Sequence, residues 1–419
     1  MSYLPRAIDK RLQRLLNGAS AIAVEGPKGV GKTETAAQHA TTILRLDTEV
    51  GRELYLADPS FASLPDGTIL IDEWQKRPSV WDAVRRAVDD GAPAGRFLLT
   101  GSATPASDAP MHSGAGRILS LRMRPMAIFE RGRSASPSVS MAELLQNGDN
   151  VSVAGASDVA LSGYLSEMAR SGFPAISALP DADLREEHLD AYISRIAERE
   201  LPDQGYTARN AAALRAWLRA YAAATSTDAS YTSILDASTP GVSDKPSRST
   251  TDTFRAKLEE IWVLDPLPAW NFAHAPLSRL ATSPKHHLAD PALAMRLLGL
   301  NARSVLLERN AQYLGPLFES LATLSVRVAA EANRCRVGHL RSLDGTRDID
   351  LIVEDPDGML LAFEVKLAGS VGDRDVRHLN WLQRQVGDSL LARVVLYTGE
   401  RAYKRPDGVL VVPLAMLGA

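Results

Sequence analysis

The sequence predicts an α/β chain: a parallel sheet with helices on both faces, then a winged-helix middle, then a second α/β unit. Three observations lead there. Short apolar runs alternate with helix-period stretches through the first part of the chain, the pattern of a helix-covered parallel sheet. A series of helical patterns ending in one short apolar segment follows. The last part carries two apolar runs around a Pro/Gly turn, with Asp350 on one run and Glu364 and Lys366 at alternate positions of the other. A length of 419 residues suits about three units of roughly 150 residues each. Apolar residues at 45% and charged residues at 23% exclude a mainly disordered or collagen-like chain. Lys and Arg number 47 against 50 Asp and Glu, a formal net charge of −3, which excludes a bulk polycation. Any nucleic-acid contact must therefore use local patches. One cysteine, Cys335, excludes an internal disulfide and a cysteine-based metal cluster, and fits a reducing, cytoplasmic setting. The start, Met1 to Lys10, has Arg6, Asp9 and Lys10 with no apolar block behind them, so no signal peptide is expected. No apolar run approaches the ~18 residues of a membrane span, so no membrane partner is expected. The expected boundaries are 1–133 for the first unit, 134–207 for a linker and helical region, 208–280 for the winged helix and 281–419 for the last unit.

In order, the expected strands of the first unit are Ala21–Glu25, Leu54–Ala57, Thr68–Ile71, Phe97–Thr100 and Ile118–Leu121. The Ser/Gly/Ala-rich stretch Ser134–Asp158 reads as a boundary or loose insertion. Leu161–Arg170 and Leu184–Arg199 read as helices joined around Ser171-Gly172-Phe173-Pro174. Arg209–Ala224 is an Ala-rich helix with Leu214, Trp217, Leu218 and Tyr221 on one face. Tyr231–Ala237 and Ser249–Ile261 follow as helices, and Trp262-Val263-Leu264 as a strand. In the last unit Leu306–Ala329 reads as a helix. Asp348–Glu354 and Met359–Leu367 read as strands joined by the turn Asp355-Pro356-Asp357-Gly358. Val376–Val386 is a helix, Ala392–Tyr397 a strand and Val409–Leu417 a buried strand.

Gly26-Pro27-Lys28-Gly29-Val30-Gly31-Lys32-Thr33 fits the phosphate-loop pattern G-x-x-x-x-G-K-[ST], between a strand and a helix. The glycines let backbone N–H groups curl around phosphate oxygens, and the helix start adds partial positive charge. Lys32 is placed to reach the β- and γ-phosphates of ATP, and the Thr33 hydroxyl to hold Mg²⁺. Ile69-Leu70-Ile71-Asp72-Glu73 supplies the matching acids: Asp72 for the Mg²⁺ shell, Glu73 to orient or deprotonate the attacking water. In Phe97-Leu98-Leu99-Thr100-Gly101-Ser102, Thr100 and Ser102 are candidates to sense the γ-phosphate, or simply cap a strand and turn. Arg117, after Gly114-Ala115-Gly116, is a candidate arginine finger or a solvated arginine.

These motifs, taken with Gly116-Arg117 and Pro125-Met126-Ala127-Ile128-Phe129-Glu130, resemble a bacterial and archaeal group of AAA+-type ATPases. The C-terminal half of that group is a domain of unknown function with a restriction-endonuclease-like core. Ser171-Gly172-Phe173-Pro174, Asp290-Pro291-Ala292-Leu293-Ala294 and Gly315-Pro316-Leu317-Phe318-Glu319 match as well, so the resemblance covers nearly the whole chain. Arg131–Gly163 departs from it. The resemblance implies ATP hydrolysis, ATP and Mg²⁺ as ligands, and a site completed by a second copy of the chain through Arg117.

The helices and strand of Arg209–Leu264 suggest a winged helix, with Ser249–Ile261 as its recognition-type helix, and the family is similar here. Arg209–Glu260 holds seven Lys/Arg and six Asp/Glu, a weak footprint for a DNA reader, so packing between domains is the other reading. In the last unit, Asp350 and Glu364 lie on neighbouring strands, and period two puts Glu364 and Lys366 on one side. Two carboxylates and a lysine so placed are what a metal-dependent phosphodiesterase needs. The set looks like the D…ExK signature of restriction-endonuclease-like folds, with Glu319 as the helix-borne acid beside Asp350 and Glu364 on the metal. Arg327–Arg347 holds five arginines and two acids, a patch to track a phosphate backbone or a solvated face. His286, His287, His378 and Cys335 have no companion at ligand spacing and read as structural. The expected function is therefore an ATP-hydrolysing, nucleic-acid-associated chain with a nuclease-like domain that binds or cuts DNA. The alternative is a regulatory or scaffold ATPase whose nuclease-like domain binds a protein.

Overall fold

The computed structural model describes residues 3–101, 115–132, 138–203, 205–208, 210–239, 246–270 and 280–419. The first sheet has five parallel strands: β1 (Ala21–Glu25), β2 (Thr42–Arg45), β3 (Ile69–Asp72), β4 (Phe97–Gly101) and β5 (Ile118–Arg122). Their order is β2-β3-β4-β1-β5. Alternate residues feed two cores: Ile22, Val24, Leu70, Leu98 and Leu121 on one face, Ala21, Ala23, Ile69, Ile71 and Leu99 on the other. Burial on both faces is why β1, β3 and β4 read as unbroken apolar runs.

Leu54–Ala57, expected as a strand, instead closes the helix Glu49–Ala57. The Thr48 side chain accepts the Gly51 N–H at 3.1 Å and Glu49 sits in the first turn, so the helix start is well capped. The strand of that region is β2, which lies at the sheet edge with Ile43 and Arg45 exposed, so its apolar signal is weak.

The C-terminal sheet has seven strands in the order β7-β12-β13-β11-β10-β9-β8. They are β7 (Gly155–Ala156), β8 (Arg336–Arg341), β9 (Asp348–Glu354), β10 (Leu360–Lys366), β11 (Leu390–Tyr397), β12 (Arg401–Lys404) and β13 (Leu410–Pro413). The pairs β8–β9 and β9–β10 are antiparallel, while β10, β11 and β13 run parallel. The helix Leu314–Ala332 packs with Leu351, Val353, Leu361 and Phe363 of one face. The helix Asp373–Val386 covers Ile352, Leu360, Ala362 and Val395 on the other. The start of the expected helix Leu306–Ala329 is two 3₁₀ segments, Ser304–Leu306 and Glu308–Tyr313. Val409–Leu417 is broken after Pro413 by one 3₁₀ turn, Leu414–Met416, before β14 (Leu417–Gly418).

The stretch read as a loose insertion is tied to this last unit. Its β7 pairs with β12, and β6 (Val139–Ser140) pairs with β14. Such two-residue strands carry no periodic signal, and only the pairing reveals them.

The middle helices form as expected: Leu161–Arg170, Ala182–Arg195, Ala211–Ala223, Tyr231–Ser238 and Arg248–Glu260. Trp262-Val263-Leu264 does not form a regular strand. Trp262 turns at a φ of 62°, and the N–H groups of Val263 and Leu264 both return to the Leu258 carbonyl, closing the helix end. Beyond it the backbone makes a sparse antiparallel ladder with 285–289. Leu267 and Lys285 exchange both N–H···O bonds at 2.9 Å, and Asp265 N–H donates to His287 O. This ladder runs on into the edge of β8, where Trp270 N–H donates to His339 O. Among the described residues no helix is long and apolar enough to cross a membrane.

Candidate functional site

The order of the first sheet places β4 between β1 and β3, and so gathers the polar strand ends. Thr100 pairs in register with Val24 on one side and Asp72 on the other. Gly26 leaves β1 at a φ of 152°, and a Cβ there would stand 2.0 Å from the Met123 carbonyl oxygen, so only glycine fits. Gly31 caps the helix Lys32–Ala37 in the left-handed region at φ 97°. Both hydroxyls then meet one carboxylate oxygen: Thr33 Oγ1 donates to Asp72 Oδ1 at 2.8 Å, and Thr100 Oγ1 to the same atom at 2.6 Å. A hydroxyl and a carboxylate are the hard oxygen donors that Mg²⁺ takes, so Thr33 and Asp72 fit that ion.

Lys32 Nζ donates to the carbonyls of Gly26 and Pro27 at 2.8 and 2.9 Å. Burial lowers its pKa to about 8, against the opposing charges of Glu73 and Asp72. Glu73 stands at a φ of 55°, a left-handed conformation that a glutamate seldom adopts. Gln75 Nε2 donates to Glu73 Oε2 at 2.6 Å and fixes its orientation. Burial, then the charge of Asp72, raises the Glu73 pKa, which moves a carboxylate toward the range of a working base.

A cavity of about 740 Å³ opens over these groups. Lys28, Gly29, Gly31, Lys32, Thr33 and Glu73 line its polar part, and Leu4, Met126, Pro174 and Ala178 its apolar part. Such a cavity suits a nucleotide, with phosphates on the loop and a base against the apolar wall. The N-terminal segment is held there by Arg6, which donates to Val30 O at 2.8 Å and pairs with buried Glu130 at 3.1 Å. The sequence reading missed Tyr3, Leu4 and Arg6, which belong to no spacing motif.

Two nominated residues lie apart from this group. Ser102 falls outside the described residues. Arg117 immediately precedes β5, whose first residue Ile118 pairs with Ala21, the end of β1 away from the phosphate loop. Five residues at roughly 3.3 Å each separate it by about 17 Å along the strand from the level of Glu25. It pairs with Asp89 at 2.8 Å and is exposed. Arg117 therefore does not line its own chain's cavity, and only a second copy could present it to a nucleotide. If it does, mixing Arg117→Ala with Lys32→Ala protein restores ATP turnover that neither variant has alone. A monomer by light scattering together with no recovery removes the idea.

Motifs far apart in sequence meet behind the loop. Asp290 is fully buried and caps the helix Pro291–Leu297 by accepting Ala292 N–H at 2.7 Å. Its other oxygen accepts the Ser171 hydroxyl at 3.1 Å and the Gly172 N–H. A Cβ on Gly172 would stand 2.6 Å from Met126 O. The Pro125–Glu130, Ser171–Pro174 and Asp290–Ala294 motifs are thus one packed joint beside the cavity.

A second joint links the three parts of the chain. Buried Asp265 accepts from Arg122 Nη2 at 2.8 Å, Arg124 Nε at 2.8 Å and Arg327 Nη2 at 2.7 Å. Burial alone would raise its pKa, but the three guanidinium groups outweigh that and hold the carboxyl far below the usual range. Arg122 ends β5, Asp265 lies on the 263–289 ladder and Arg327 lies on the helix Leu314–Ala332.

In the C-terminal sheet the last paired position of β9 and β10 is Leu351 with Phe363. One step beyond, Asp350 Oδ2 accepts the Val365 N–H at 2.9 Å in place of a backbone partner. Lys366 Nζ donates to Glu364 Oε1 at 2.7 Å, and Glu364 Oε2 is buried without a partner. Burial, then the charge of Asp350, pushes Glu364 up to about 8, and the same two causes push Glu319 up to about 8. The structure thus brings Glu319, Asp350, Glu364 and Lys366 together, but with a member the sequence reading did not include. Lys285 Nζ lies 3.0 Å from Glu319 Oε1 and 2.9 Å from Asp350 Oδ1, where the sequence suggested a metal ion. Among the described residues no group of three or more His, Cys, Asp or Glu side chains is arranged to hold a metal.

The arginines of 327–347 do not form one basic stripe. Arg327 is buried on Asp265, Arg336 pairs with Glu354 at 2.6 Å, Arg341 pairs with Asp228 at 2.6 Å, and Arg347 lies over the Trp381 ring at 5.5 Å.

Residues 19–131 match the family model of an AAA domain. Residues 163–304 and 314–417 match two domains of unknown function, DUF8612 and DUF4143. Over 415 residues the chain is 26% identical to the uncharacterized proteins Rv2008c of Mycobacterium tuberculosis and Mb2031c of Mycobacterium bovis, covering 96% of this chain and 82% of each relative. Among solved structures it is similar to the Walker-type ATPase PABY2304 of Pyrococcus abyssi, with a TM-score of 0.42 and 13% identity over 70% of this chain and 96% of that one. The Aeropyrum pernix ORC2 protein aligns with a TM-score of 0.29 and 16% identity, over 70% of this chain and 90% of that one. The phosphate loop between β1 and a helix lies within the stretch 19–131 that matches the AAA domain model, and together they support a P-loop ATPase fold for the N-terminal part of the chain.

Proposed function

We propose that the chain binds ATP with Mg²⁺ and hydrolyses it, using the nucleotide to set the position of its middle and C-terminal parts. The observation that carries this is the meeting of Thr33 and Thr100 on one oxygen of Asp72, with Lys32 and Glu73 in the same cavity. Lys32 leaves the loop carbonyls to hold the β- and γ-phosphates. Thr33 and Asp72 hold Mg²⁺, which neutralises charge on the phosphates when bound. Glu73, steered by Gln75, orients the attacking water and takes its proton. Thr100 ties the loop strand to Asp72 and reports on occupancy between them. Lys32→Ala is expected to abolish ATP binding, read by fluorescent-nucleotide titration; unchanged affinity would sink the site.

The joint at Asp265 supports a nucleotide-set switch, because it connects the end of β5 to the 263–289 ladder and the helix Leu314–Ala332. For the C-terminal part the reading supported best is a module that binds a partner and does not cut. The pairing of Arg327, Arg336 and Arg341 with local carboxylates favours it over a phosphate-tracking groove. Nucleic-acid association and cutting stay as the competing outcome. DNA cleavage that needs a divalent metal and disappears in Asp350→Ala, with ATP turnover intact, would establish them. The lone Cys335, half-buried and in no disulfide, suits a cytoplasmic setting.

A further inference from the structure

We infer that Lys285 is a built-in cation that takes the metal position of the C-terminal carboxylate cluster and closes it to divalent ions. This goes beyond the ATPase reading and stands or falls separately from it. A restriction-endonuclease-like site would ask Glu319, Asp350 and Glu364 to share a metal ion. The donor set does not fit that ion.

Lys285 is 3% exposed, and its ammonium lies 3.0 Å from Glu319, 2.9 Å from Asp350 and 3.9 Å from Asp348. Both oxygens of Asp350 already accept protein N–H donors, one from Lys285 and one from the Val365 backbone. Glu364 is turned to Lys366 through one oxygen, and its other buried oxygen has no partner. A hard divalent cation needs about six oxygen ligands. Here it would have to evict a buried ammonium that donates to two carboxylates and stands 3.9 Å from a third. Removing one partner of such a buried pair leaves the others uncompensated, so the displacement is strongly opposed.

The position of Lys285 is enforced from outside the cluster. Its backbone exchanges two 2.9 Å bonds with Leu267. Two residues before Leu267, Asp265 is gripped by Arg122, Arg124 and Arg327. The lysine that fills the cluster thus sits on a ladder anchored at the AAA domain, not on the strands that carry Asp350 and Glu364.

The test is Mn²⁺ titration of the nucleotide-free full chain by calorimetry and by the electron paramagnetic resonance signal of free Mn²⁺. Wild type, Asp350→Asn, Lys285→Arg, Lys285→Met and Lys285→Met/Asp350→Asn are compared. Wild type, Lys285→Arg and Asp350→Asn are expected to take up the same amount at millimolar Mn²⁺. Lys285→Met should gain one site, at least about tenfold tighter than anything in wild type, and lose it again with Asp350→Asn. Mn²⁺ uptake by wild type that Asp350→Asn removes would overturn the inference, as would a folded Lys285→Met that gains nothing. If Lys285→Met does not fold, the comparison of wild type with Asp350→Asn decides alone. Equal uptake upholds the inference and unequal uptake ends it.

Discussion

Glu73→Gln is expected to lower ATP turnover by at least ~100-fold and leave ATP affinity nearly unchanged, because a positioned general base contributes about 10²–10⁴ in rate. The substitution is close to isosteric. It keeps the oxygen that Gln75 holds at 2.6 Å and removes the carboxylate that, on the proposed reading, takes the proton of water. Asp72, which carries both threonine hydroxyls, is untouched, so the nucleotide and its Mg²⁺ still bind. The strained backbone at φ 55° accommodates Gln as it does Glu. Steady-state phosphate release and a nucleotide-binding titration on the same preparation measure both sides. Wild-type turnover in the variant would show that Glu73 does not direct the water. Loss of binding in step with turnover would instead point to a positioning role for the whole 72–75 turn.

Asp265→Ala should produce the largest loss of stability in the chain, about 3–5 kcal/mol, the usual cost of breaking a buried ion pair from one side. Three guanidinium groups, of Arg122, Arg124 and Arg327, would lose their shared carboxylate, and Glu331, 3.6 Å from Arg124, already pairs with Arg11 at 2.6 Å. Asp265→Asn keeps the shape and loses the charge, and should fall in between. The chain has several parts, so the first urea transition is the quantity to compare, not a single global midpoint. The sign with pH follows from a carboxyl held far below its ordinary value. Its contribution is fully present above the unfolded pKa of about 3.9 and is lost as pH falls through the lower folded value. The gap between wild type and Asp265→Asn should therefore stay constant from neutral pH down to about pH 4 and shrink only below that. A gap that already closes between neutrality and pH 5, or an Asp265→Ala chain as stable as wild type, would remove Asp265 as the joint of the three parts.

By itself the sequence determined where the phosphate loop and the strand-end acids lie, and most elements of the fold. The eight contiguous residues Gly26–Thr33 carry their own geometry, since the glycines dictate the loop and the flanking strand and helix are periodic. Asp72-Glu73 and Thr100 were legible for the same reason, each closing an apolar strand. The hairpin Asp348–Lys366 was legible from its turn and from period two. Tertiary structure alone decided what those groups meet. Arg122 reaches Asp265 across 143 residues and Lys285 reaches Asp350 across 65, and no local period links such partners. The short strands β6 and β7 exist only because β14 and β12 offer them an edge. Arg117 read as a finger for a second copy or as a solvated arginine, and only the parallel register of β5 with β1 places it at the end of the sheet away from its own phosphate loop. The physical reason is the same in each case. Backbone conformation and amphipathic faces are written in neighbouring residues, whereas buried charges are neutralised by whichever opposite charge the fold brings within about 3 Å.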